Sequence, residues 1–409
     1  MPVDAPAHSF HIPYSIIKPI VNALAFPPIK PSKQCPPTGS THYLPISHRP
    51  SPLRNIISCC AGAQKRHLQQ PYLHIHHPYP RALALYFHNN GATINHFQPD
   101  LVELSRRLQI TIIAPELPGY GESTCDRTHS NALRIAEAFH KHAFEERSRI
   151  ENWIATRQKP TSPSKALPHN YLPLVLIGES IGTGSASYLA ARYPEAYEAV
   201  VLLSAFASIA DCADLFVRRP WLTASLSNHH FNNKRDLPRY DGPVLLMQGL
   251  YDRGFPAYQS LELHEALLAR STEAMTELIL HPTDRHLLGY EEICGFDDGE
   301  RPRGVNGFLE ILGFPKRVPD DPESPEESGG TVFHDDEPPS APSNPATTEP
   351  PALPLLEPSQ RRQSLPSRFA ARMRKKMESY IEFVREGRQF WKHLKGHREP
   401  LGRREHWHP

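Results

Sequence analysis

A serine between two glycines has the clearest chemical meaning in this chain of 409 residues. The segment Gly178-Glu179-Ser180-Ile181-Gly182 follows the apolar run Leu174–Ile177 and opens a stretch of helical character over Ile181–Arg192. A strand–turn–helix of this kind lifts a serine hydroxyl above the edge of a sheet, and the sharp turn needs small flanking residues such as Gly178 and Gly182. It also directs the next backbone N–H, that of Ile181, toward a developing oxyanion. The pattern predicts a nucleophilic Ser180, with an ordinary strand-to-helix turn as the alternative.

A serine hydroxyl is a poor nucleophile unless a base removes its proton. Where serine lies on such a turn, an acid and a histidine follow it in that order, each after a later strand. Asp252 lies just past the apolar run Val244–Met247, and His286 lies several residues past the run Leu278–Leu280. His281 is the alternative base, but it directly follows its run and precedes a proline, and Asp252 has the alternative of a solvated turn aspartate. We therefore predict that Ser180, Asp252 and His286 form a catalytic triad.

A second oxyanion donor is expected in the loop after the apolar run Ala82–Phe87. That loop reads His88-Asn89-Asn90-Gly91, and we select the backbone N–H of Asn90, with a plain Gly/Asn turn as the alternative. Substrate choice is expected to lie in residues 204–243, between two late strands. The predicted acyl-pocket residues there are Phe206, Leu215, Phe216, Trp221 and Leu222.

Short, continuous apolar runs alternate with helical stretches through the middle of the chain. Runs of this kind are typical of strands buried on both faces of a parallel sheet. Helices are predicted at Ser130–Gln158, Ile181–Arg192 and Tyr258–Ala269. The alternation predicts the α/β class, with a mostly parallel, doubly wound sheet flanked by helices. The remaining predicted strands are Ile110–Ala114 and Ala199–Leu203.

Composition predicts one folded domain between loosely structured arms. The chain has 44 prolines, and only 39% of its residues are hydrophobic. We expect a Pro/His-rich N-terminal arm over 1–80, a catalytic domain over 81–315, an acidic Pro-rich disordered linker over 316–365, and a basic amphipathic helix with a tail over 366–409. Residues 318–360 contain ten Asp and Glu and no Lys or Arg, whereas residues 366–405 contain twelve Lys and Arg against five Glu.

Charge and cysteine usage argue against several classes of partner. A net charge of +1 gives no overall attraction to nucleic acid, and six cysteines without a CxxC support neither a disulfide framework nor a zinc site. We expect no metal and no cofactor, and His74, His76 and His77 have no matching second cluster.

Nothing in the first residues resembles a signal peptide, and no apolar run approaches the length of about 18 residues that spans a bilayer. We therefore expect a cytoplasmic protein, with two routes to a membrane surface. Cys59 and Cys60 are candidates for S-acylation, with unmodified cysteines as the alternative. The basic helix is a candidate for binding anionic lipid, with the last helix of the domain as the alternative.

Taken together, the motifs between residues 81 and 290 resemble those of the α/β-hydrolases. The similarity is greatest to a eukaryotic group with an F-H-G-N-A loop and a G-x-S-I-G-T turn, which includes membrane-anchored protein depalmitoylases. Ala25-Phe26-Pro27-Pro28 resembles a segment near the N-terminus of that group. Two departures are visible, since Asn89 replaces the usual glycine of the oxyanion loop and Asp284-Arg285-His286 replaces the usual G-x-x-H. The segments that carry the resemblance are His88–Gly91, Pro118–Ser123, Gly178–Gly184, Gly249–Asp252 and His286.

This resemblance implies the α/β-hydrolase fold and a serine hydrolase that cleaves an ester or thioester through an acyl-enzyme intermediate. The expected substrates are acylated small molecules, lipids or acyl-proteins, and long acyl chains are favoured. Two alternatives stay open, a serine peptidase with the same triad and a non-catalytic scaffold whose terminal segments recruit partners.

Overall fold

The fold is seen in a computed structural model, which describes most of the chain between residues 68 and 316 together with short pieces before it. The acidic linker beyond residue 316, the basic helix, Cys59 and Cys60 lie outside the described residues, so the predictions made for them stay predictions. The described residues are 21–23, 25–29, 41–46, 68–157, 171–217, 226, 231–252, 254–270, 272–283, 285–295 and 304–316.

Eight strands and eight α-helices carry the described part of the chain. The strands are β1 (Thr41–Ile46), β2 (Leu68–Ile75), β3 (Ala82–Phe87), β4 (Ile110–Pro115), β5 (Leu174–Glu179), β6 (Ala199–Leu203), β7 (Val244–Gly249) and β8 (Thr276–His281). The helices are α1 (Gln98–Leu108), α2 (His129–Arg157), α3 (Gly182–Arg192), α4 (Ile209–Val217), α5 (Asn233–Asp236), α6 (Tyr258–Leu268), α7 (Tyr290–Cys294) and α8 (Gly304–Ile311), with 3₁₀ turns at Ile94–Phe97 and Leu237–Arg239.

All eight strands form one sheet in the order β1-β2-β4-β3-β5-β6-β7-β8. Strand β2 is antiparallel to both of its neighbours, and the pairs from β4 to β8 are parallel. Strand β3 has β4 on one side and β5 on the other, so the chain reverses its direction of travel across the sheet at this point. Ligands of open α/β sheets bind at the carboxyl ends of the strands beside such a reversal.

Helices cover the sheet from both sides, which explains the continuous apolar runs. Every residue of β3, β4, β5, β6 and β7 is buried. Alternate residues of these strands pack with α1, α7 and α8 in one apolar core. Helices α2 and α3 contact each other and β3, and in addition α2 contacts β4 and α3 contacts β5. The predicted mostly parallel, doubly wound sheet with flanking helices is confirmed.

The segment predicted as an irregular arm contributes two strands to this sheet. Strand β1 lies at the edge and pairs with β2, which in turn pairs with β4. Their sequences contain Pro45, Pro71 and the buried Gln70, so neither has the continuous apolar texture of the central strands. Residues 41–46 and 68–75 of that segment therefore belong to the sheet itself.

Candidate active site

Ser180 lies on a sharp turn between the end of β5 and the start of α3. Its φ is +52°, in the left-handed region, and its side chain is buried. Such a conformation costs a non-glycine residue about 1–3 kcal/mol and persists only where its surroundings impose it. The Ser180 N–H donates to the Leu203 carbonyl at 2.9 Å, and the Ser180 carbonyl accepts from the Thr183 hydroxyl at 2.7 Å. The fold thus holds the serine in a strained, fixed position at the carboxyl edge of the sheet.

Gly178 and Gly182 are required here because neighbouring backbone fills the space of a side chain. A Cβ at Gly182 would lie 2.0 Å from the Phe87 carbonyl oxygen, and one at Gly178 would lie 2.8 Å from the Thr183 Cα. Helix α3 therefore begins directly against the end of β3. This close approach brings the N–H after Ser180 beside the loop that follows β3.

The three residues of the predicted triad meet at this edge. The Ser180 Oγ lies 2.8 Å from the His286 Nε2, and the His286 Nδ1 lies 2.7 Å from the Asp252 Oδ2. Both distances are normal for hydrogen bonds. The rival base, His281, is the last residue of β8. An imidazole bonded to a carboxylate through one nitrogen presents the other nitrogen as an acceptor for a hydroxyl proton.

Asp252 is completely buried, and N–H donors surround its carboxylate. Its Oδ1 accepts from the backbone N–H of Gly254 at 2.6 Å and of Phe255 at 3.1 Å, and its Oδ2 also accepts from the Gln248 side-chain amide at 2.6 Å. These bonds fix the carboxylate, so that one oxygen faces the imidazole of His286. Asp252 thus directs the His286 ring.

Two polar side chains that the motifs did not indicate support this pair. Gln248, the penultimate residue of β7, accepts a hydrogen bond from the Ser260 hydroxyl at 3.0 Å while its amide reaches Asp252. Ser204, directly after β6 at a φ of +50°, donates its hydroxyl to the His286 carbonyl. A polar residue at the carboxyl end of a buried strand is the sequence signal that could have selected both.

The two predicted oxyanion donors, Ile181 and Asn90, lie on adjoining segments. Among the described residues, neither backbone N–H donates to a protein acceptor. The Asn90 side-chain amide donates instead to the Ala25 carbonyl at 2.8 Å. The backbone carbonyl of Asn90 accepts from the Tyr120 hydroxyl at 3.4 Å. The N-terminal segment that contains Ala25 thus packs on the predicted oxyanion loop, which leaves the backbone N–H of Asn90 for a ligand.

A buried carboxyl group lies one residue before Ser180. Glu179 accepts hydrogen bonds from the Asn89 amide at 2.8 Å and from the Tyr86 hydroxyl at 3.1 Å. Burial raises the pKa of the Glu179 carboxyl, and these two hydrogen bonds oppose the shift. Asn89, which departs from the family pattern, therefore has a defined partner in the turn.

Apolar side chains cluster beside the turn. Ile181 belongs to a buried group with Phe206, Phe231, Phe26 and Ile209. Of the predicted acyl-pocket residues, Phe206 is fully buried in this group. The side chains of Leu215 and Phe216, together with Trp221 and Leu222, lie outside the described residues.

Metal and membrane features were searched over the same part of the chain. No group of three or more His, Cys, Asp or Glu side chains in the described ranges is arranged to hold a metal ion. Nor does any described helix combine the length and apolar character that crossing a bilayer requires.

No protein-family model matches the sequence. The fold is similar to that of TT1662 from Thermus thermophilus, at 18% identity over 60% of this chain and 92% of that one, with a TM-score of 0.41. It is also similar to the Pyrococcus furiosus esterase Pf2001, at 11% identity over 63% and 88%, with a TM-score of 0.38. A monoacylglycerol lipase from Paleococcus ferrophilus matches at 16% identity over 52% and 88%, with a TM-score of 0.36.

The strand order, the antiparallel β2 and the strand–turn–helix at Ser180 define the α/β-hydrolase fold for this chain. The predicted fold class is therefore confirmed, and the chain's own topology carries the assignment.

Proposed function

We propose that this protein is a serine hydrolase that cleaves an ester or thioester through an acyl-enzyme intermediate. The Ser180 hydroxyl attacks the substrate carbonyl while His286 accepts its proton. Collapse of the tetrahedral intermediate expels the alcohol or thiol, which takes the proton from His286. Water then attacks the acyl group with the same base, and the acid is released from a restored Ser180.

One observation carries this proposal, the continuous hydrogen-bonded chain from the Ser180 hydroxyl through His286 to the buried Asp252. The residues come from three separate strand ends, so their meeting is a property of the fold. The strained serine turn lies beside two backbone N–H groups, of Ile181 and Asn90, that donate to no acceptor in the described part of the chain, and this supports an oxyanion site formed by the two. Loss of one such donor typically costs about 3 kcal/mol of transition-state stabilisation.

For the substrate we propose an acyl group of some length. Ile181, Phe206 and Phe231 belong to one buried apolar cluster that adjoins the serine turn, and apolar surroundings favour an alkyl chain over a charged group. The resemblance of the motifs to the eukaryotic depalmitoylase group extends the candidates from lipids and small esters to acyl-protein thioesters. A serine peptidase would use the same triad and remains the rival within this chemistry.

A fluorophosphonate probe tests the proposal, because it reacts with a serine only when a base and an oxyanion site activate it. We expect the probe to label the wild type and not Ser180→Ala. His281→Gln is the matched control, since it removes the rival histidine and is expected to label like the wild type. Equal labelling of wild type and Ser180→Ala would end the assignment.

Nitrophenyl esters of increasing chain length distinguish an enzyme from a non-catalytic scaffold. Turnover that His286→Ala abolishes supports the enzyme, and a rate that rises with chain length supports a long acyl substrate. Absence of turnover at every chain length would favour the scaffold.

We further propose a cytoplasmic protein whose folded catalytic domain is followed by the acidic linker of 316–365 and the basic segment of 366–409. Twelve Lys and Arg in residues 366–405 support contact with an anionic membrane surface. Co-sedimentation of the full chain with phosphatidylserine vesicles tests this contact. Truncation after residue 365 is expected to remove binding, and unchanged binding would contradict it.

A further inference from the structure

The side chain of Asn89 joins the serine turn to the loop after β3. Asn89 is buried, and its amide nitrogen donates to the Glu179 Oε2 at 2.8 Å. Its amide oxygen accepts from the Gly91 backbone N–H at 2.8 Å. One planar group therefore connects the residue before Ser180 with the residue after Asn90.

This contact determines which N–H groups of the loop are occupied. The Gly91 N–H donates to the side-chain oxygen of Asn89, whereas the Asn90 N–H donates to no acceptor among the described residues. The Asn90 side chain is itself held by the Ala25 carbonyl at 2.8 Å. With both asparagine side chains anchored, the backbone N–H of Asn90 is a donor that no acceptor among the described residues takes, and we assign it to the substrate oxyanion.

Glu179 is the other half of the contact. It ends β5 and directly precedes Ser180, and its Oε2 accepts from both Asn89 and the Tyr86 hydroxyl. Helix α3 begins against the Phe87 carbonyl, so the turn and the loop also touch through their backbones. The hydrogen bond from Asn89 adds a directional constraint to this contact.

We propose that Asn89 and Glu179 form a positioning pair that sets the distance and direction of the Asn90 N–H relative to Ser180. The inference rests on the proposed serine hydrolase function. It assigns to the Asn89 side chain a task that a glycine at this place cannot perform.

An oxyanion donor acts mainly in the transition state, so its misplacement lowers kcat more than it raises KM. Asn89→Ala removes an amide that bonds Glu179 and Gly91 and makes no hydrogen bond to the side chains of Ser180 or His286. We expect kcat for a nitrophenyl ester to fall by about 10- to 100-fold, since complete loss of one donor costs about 100- to 1000-fold. KM is expected to stay within about threefold, because ground-state binding does not use this donor.

Exchange of the two chemical groups tests the pair directly. Asn89→Asp places two carboxyl groups against each other in a buried site, and kcat is expected to fall at least tenfold. Glu179→Gln keeps an acceptor for Asn89 and is expected to lower kcat by about threefold, because a neutral acceptor forms the weaker hydrogen bond.

In the double variant, which combines Asn89→Asp with Glu179→Gln, the new amide at position 179 can donate to the new carboxylate at position 89. Its kcat is expected to recover at least about fivefold over Asn89→Asp alone, because the exchange restores one donor and one acceptor.

Tyr86→Phe is the matched control. It removes the other hydrogen bond to Glu179, and among the described residues the Tyr86 hydroxyl makes no hydrogen bond to the loop after β3. A general loosening of the buried carboxyl group would affect Tyr86→Phe and Asn89→Ala alike, whereas the positioning role predicts that Asn89→Ala loses kcat and Tyr86→Phe keeps it. Thermal unfolding of each variant shows whether both changes destabilise the fold to a similar degree.

The outcomes separate this inference from the function on which it rests. If the wild type neither turns over esters nor reacts with the fluorophosphonate, the proposed function fails. If the wild type is active, two results overturn the positioning pair alone. One is a kcat of Asn89→Ala within threefold of the wild type, and the other is a double variant no better than Asn89→Asp.

Discussion

At the scale of single residues, the contacts of Asp252 show how the site holds the ring of His286, the proposed proton acceptor. Three N–H groups of the protein reach its carboxylate, from Gly254, Phe255 and Gln248. Gly254 leaves room for this arrangement, because a Cβ there would lie 3.1 Å from the His286 ring. His286 also contacts the Phe255 ring edge to face, with centroids 4.9 Å apart. The imidazole is thus held by a hydrogen bond from its Nδ1 to Asp252 and by ring contact with Phe255.

Asp252→Asn tests this role. An amide beside the His286 Nδ1 favours the wrong tautomer, in which the Nε2 carries the proton and cannot accept one from Ser180. We expect kcat to fall by about 1000- to 10,000-fold with little change in folding, as measured by ester hydrolysis and thermal unfolding. The exposed Asp241→Asn serves as control and should retain the wild-type rate. A loss below tenfold in Asp252→Asn would show that this carboxylate does not orient the base.

The sequence was informative about these residues only where position along a strand selects them. Ser180 has a local motif, and Asp252 and His286 were chosen because each follows a late strand. The Ser204 hydroxyl and the Asn89 side chain contact residues far away in the chain, and Gln248 contacts Asp252 and Ser260 across the loop and helix that follow β7. A polar residue at the end of a buried strand can mark Gln248 and Ser204 as candidates, but no local pattern shows which partners these side chains contact.

At the scale of elements, the close packing of α3 on β3 holds the serine turn against the loop. Gly182→Ala would place its Cβ 2.0 Å from the Phe87 carbonyl oxygen, a distance that forces backbone apart. We expect loss of fluorophosphonate labelling and a decrease of about 2 kcal/mol or more in the free energy of unfolding. In the control Gly289→Ala the new Cβ would have its nearest contact at 3.6 Å, so labelling should persist. Normal labelling of Gly182→Ala would refute the packing argument.

Arg81 joins the start of β3 to two helices. Its buried guanidinium donates to the Leu108 carbonyl and the Asn306 side chain, both at 2.6 Å, and to the Phe314 carbonyl at 3.3 Å. Burial lowers the pKa of Arg81 to about 10, which leaves it charged at neutral pH. The end of α1 and the segment around α8 are therefore fastened to the sheet by one cation.

Arg81→Met leaves these acceptors without their donor in a buried place. We expect the free energy of unfolding to fall by about 3 kcal/mol in urea titration, since each lost bond to a charged group costs about 1.5–3 kcal/mol. The same change at the exposed Arg106, which pairs with Glu103, is expected to cost less than about 1 kcal/mol. Equal effects of the two changes would contradict the role of Arg81.

The predicted elements agree with the structure where burial on both faces leaves a continuous apolar run. Strands β3 and β6 have the predicted bounds, and the predicted helices at 130–158 and 258–269 differ from α2 and α6 by one residue at the ends. Strand β2 was missed because Gln70, fully buried, donates to the Glu116 carbonyl at 2.6 Å, so a polar residue occupies a core position. A tertiary partner of this kind cannot be inferred from local sequence.

At the scale of the whole molecule, buried histidines connect pH with stability. Burial lowers the pKa of His74 to about 3 and that of His142 to about 4, and neighbouring positive groups, including Arg149, add to both shifts. Glu146 lies 3.7 Å from the His74 ring nitrogen. Unfolding restores the ordinary pKa of 6.5, so the unfolded chain binds protons that the folded chain rejects. Stability is therefore complete above pH 6.5 and decreases as the pH falls toward 4.

We expect each of these two histidines to cost about 2 kcal/mol of stability at pH 5 relative to pH 7, at about 1.4 kcal/mol per pH unit below 6.5. Urea unfolding of the wild type at the two pH values measures the loss. His74→Gln removes one of the two titrating groups. The loss of stability between pH 7 and pH 5 should therefore be smaller in this variant than in the wild type by about 2 kcal/mol. An identical pH dependence in the variant and the wild type would contradict the assignment.

The fold class as a whole could be predicted, because alternating runs and one strained serine turn are compatible with few architectures. The contribution of the N-terminal segment to the site could not be predicted. Phe26 is buried near Phe231, with ring centroids 6.2 Å apart, and the preceding Ala25 accepts from Asn90. These contacts unite segments separated by much of the chain, and the proline-rich sequence around them gives no local sign of a buried position.

The proposed mechanism requires that Ser180 carries an acyl group during turnover. Acid quenching during hydrolysis of a slowly deacylating nitrophenyl ester, followed by peptide mass spectrometry, measures this directly. We expect one acyl group per chain, located on the peptide that contains Ser180 and absent in Ser180→Ala. Ester turnover without any such adduct, or with the acyl group on another residue, would contradict it.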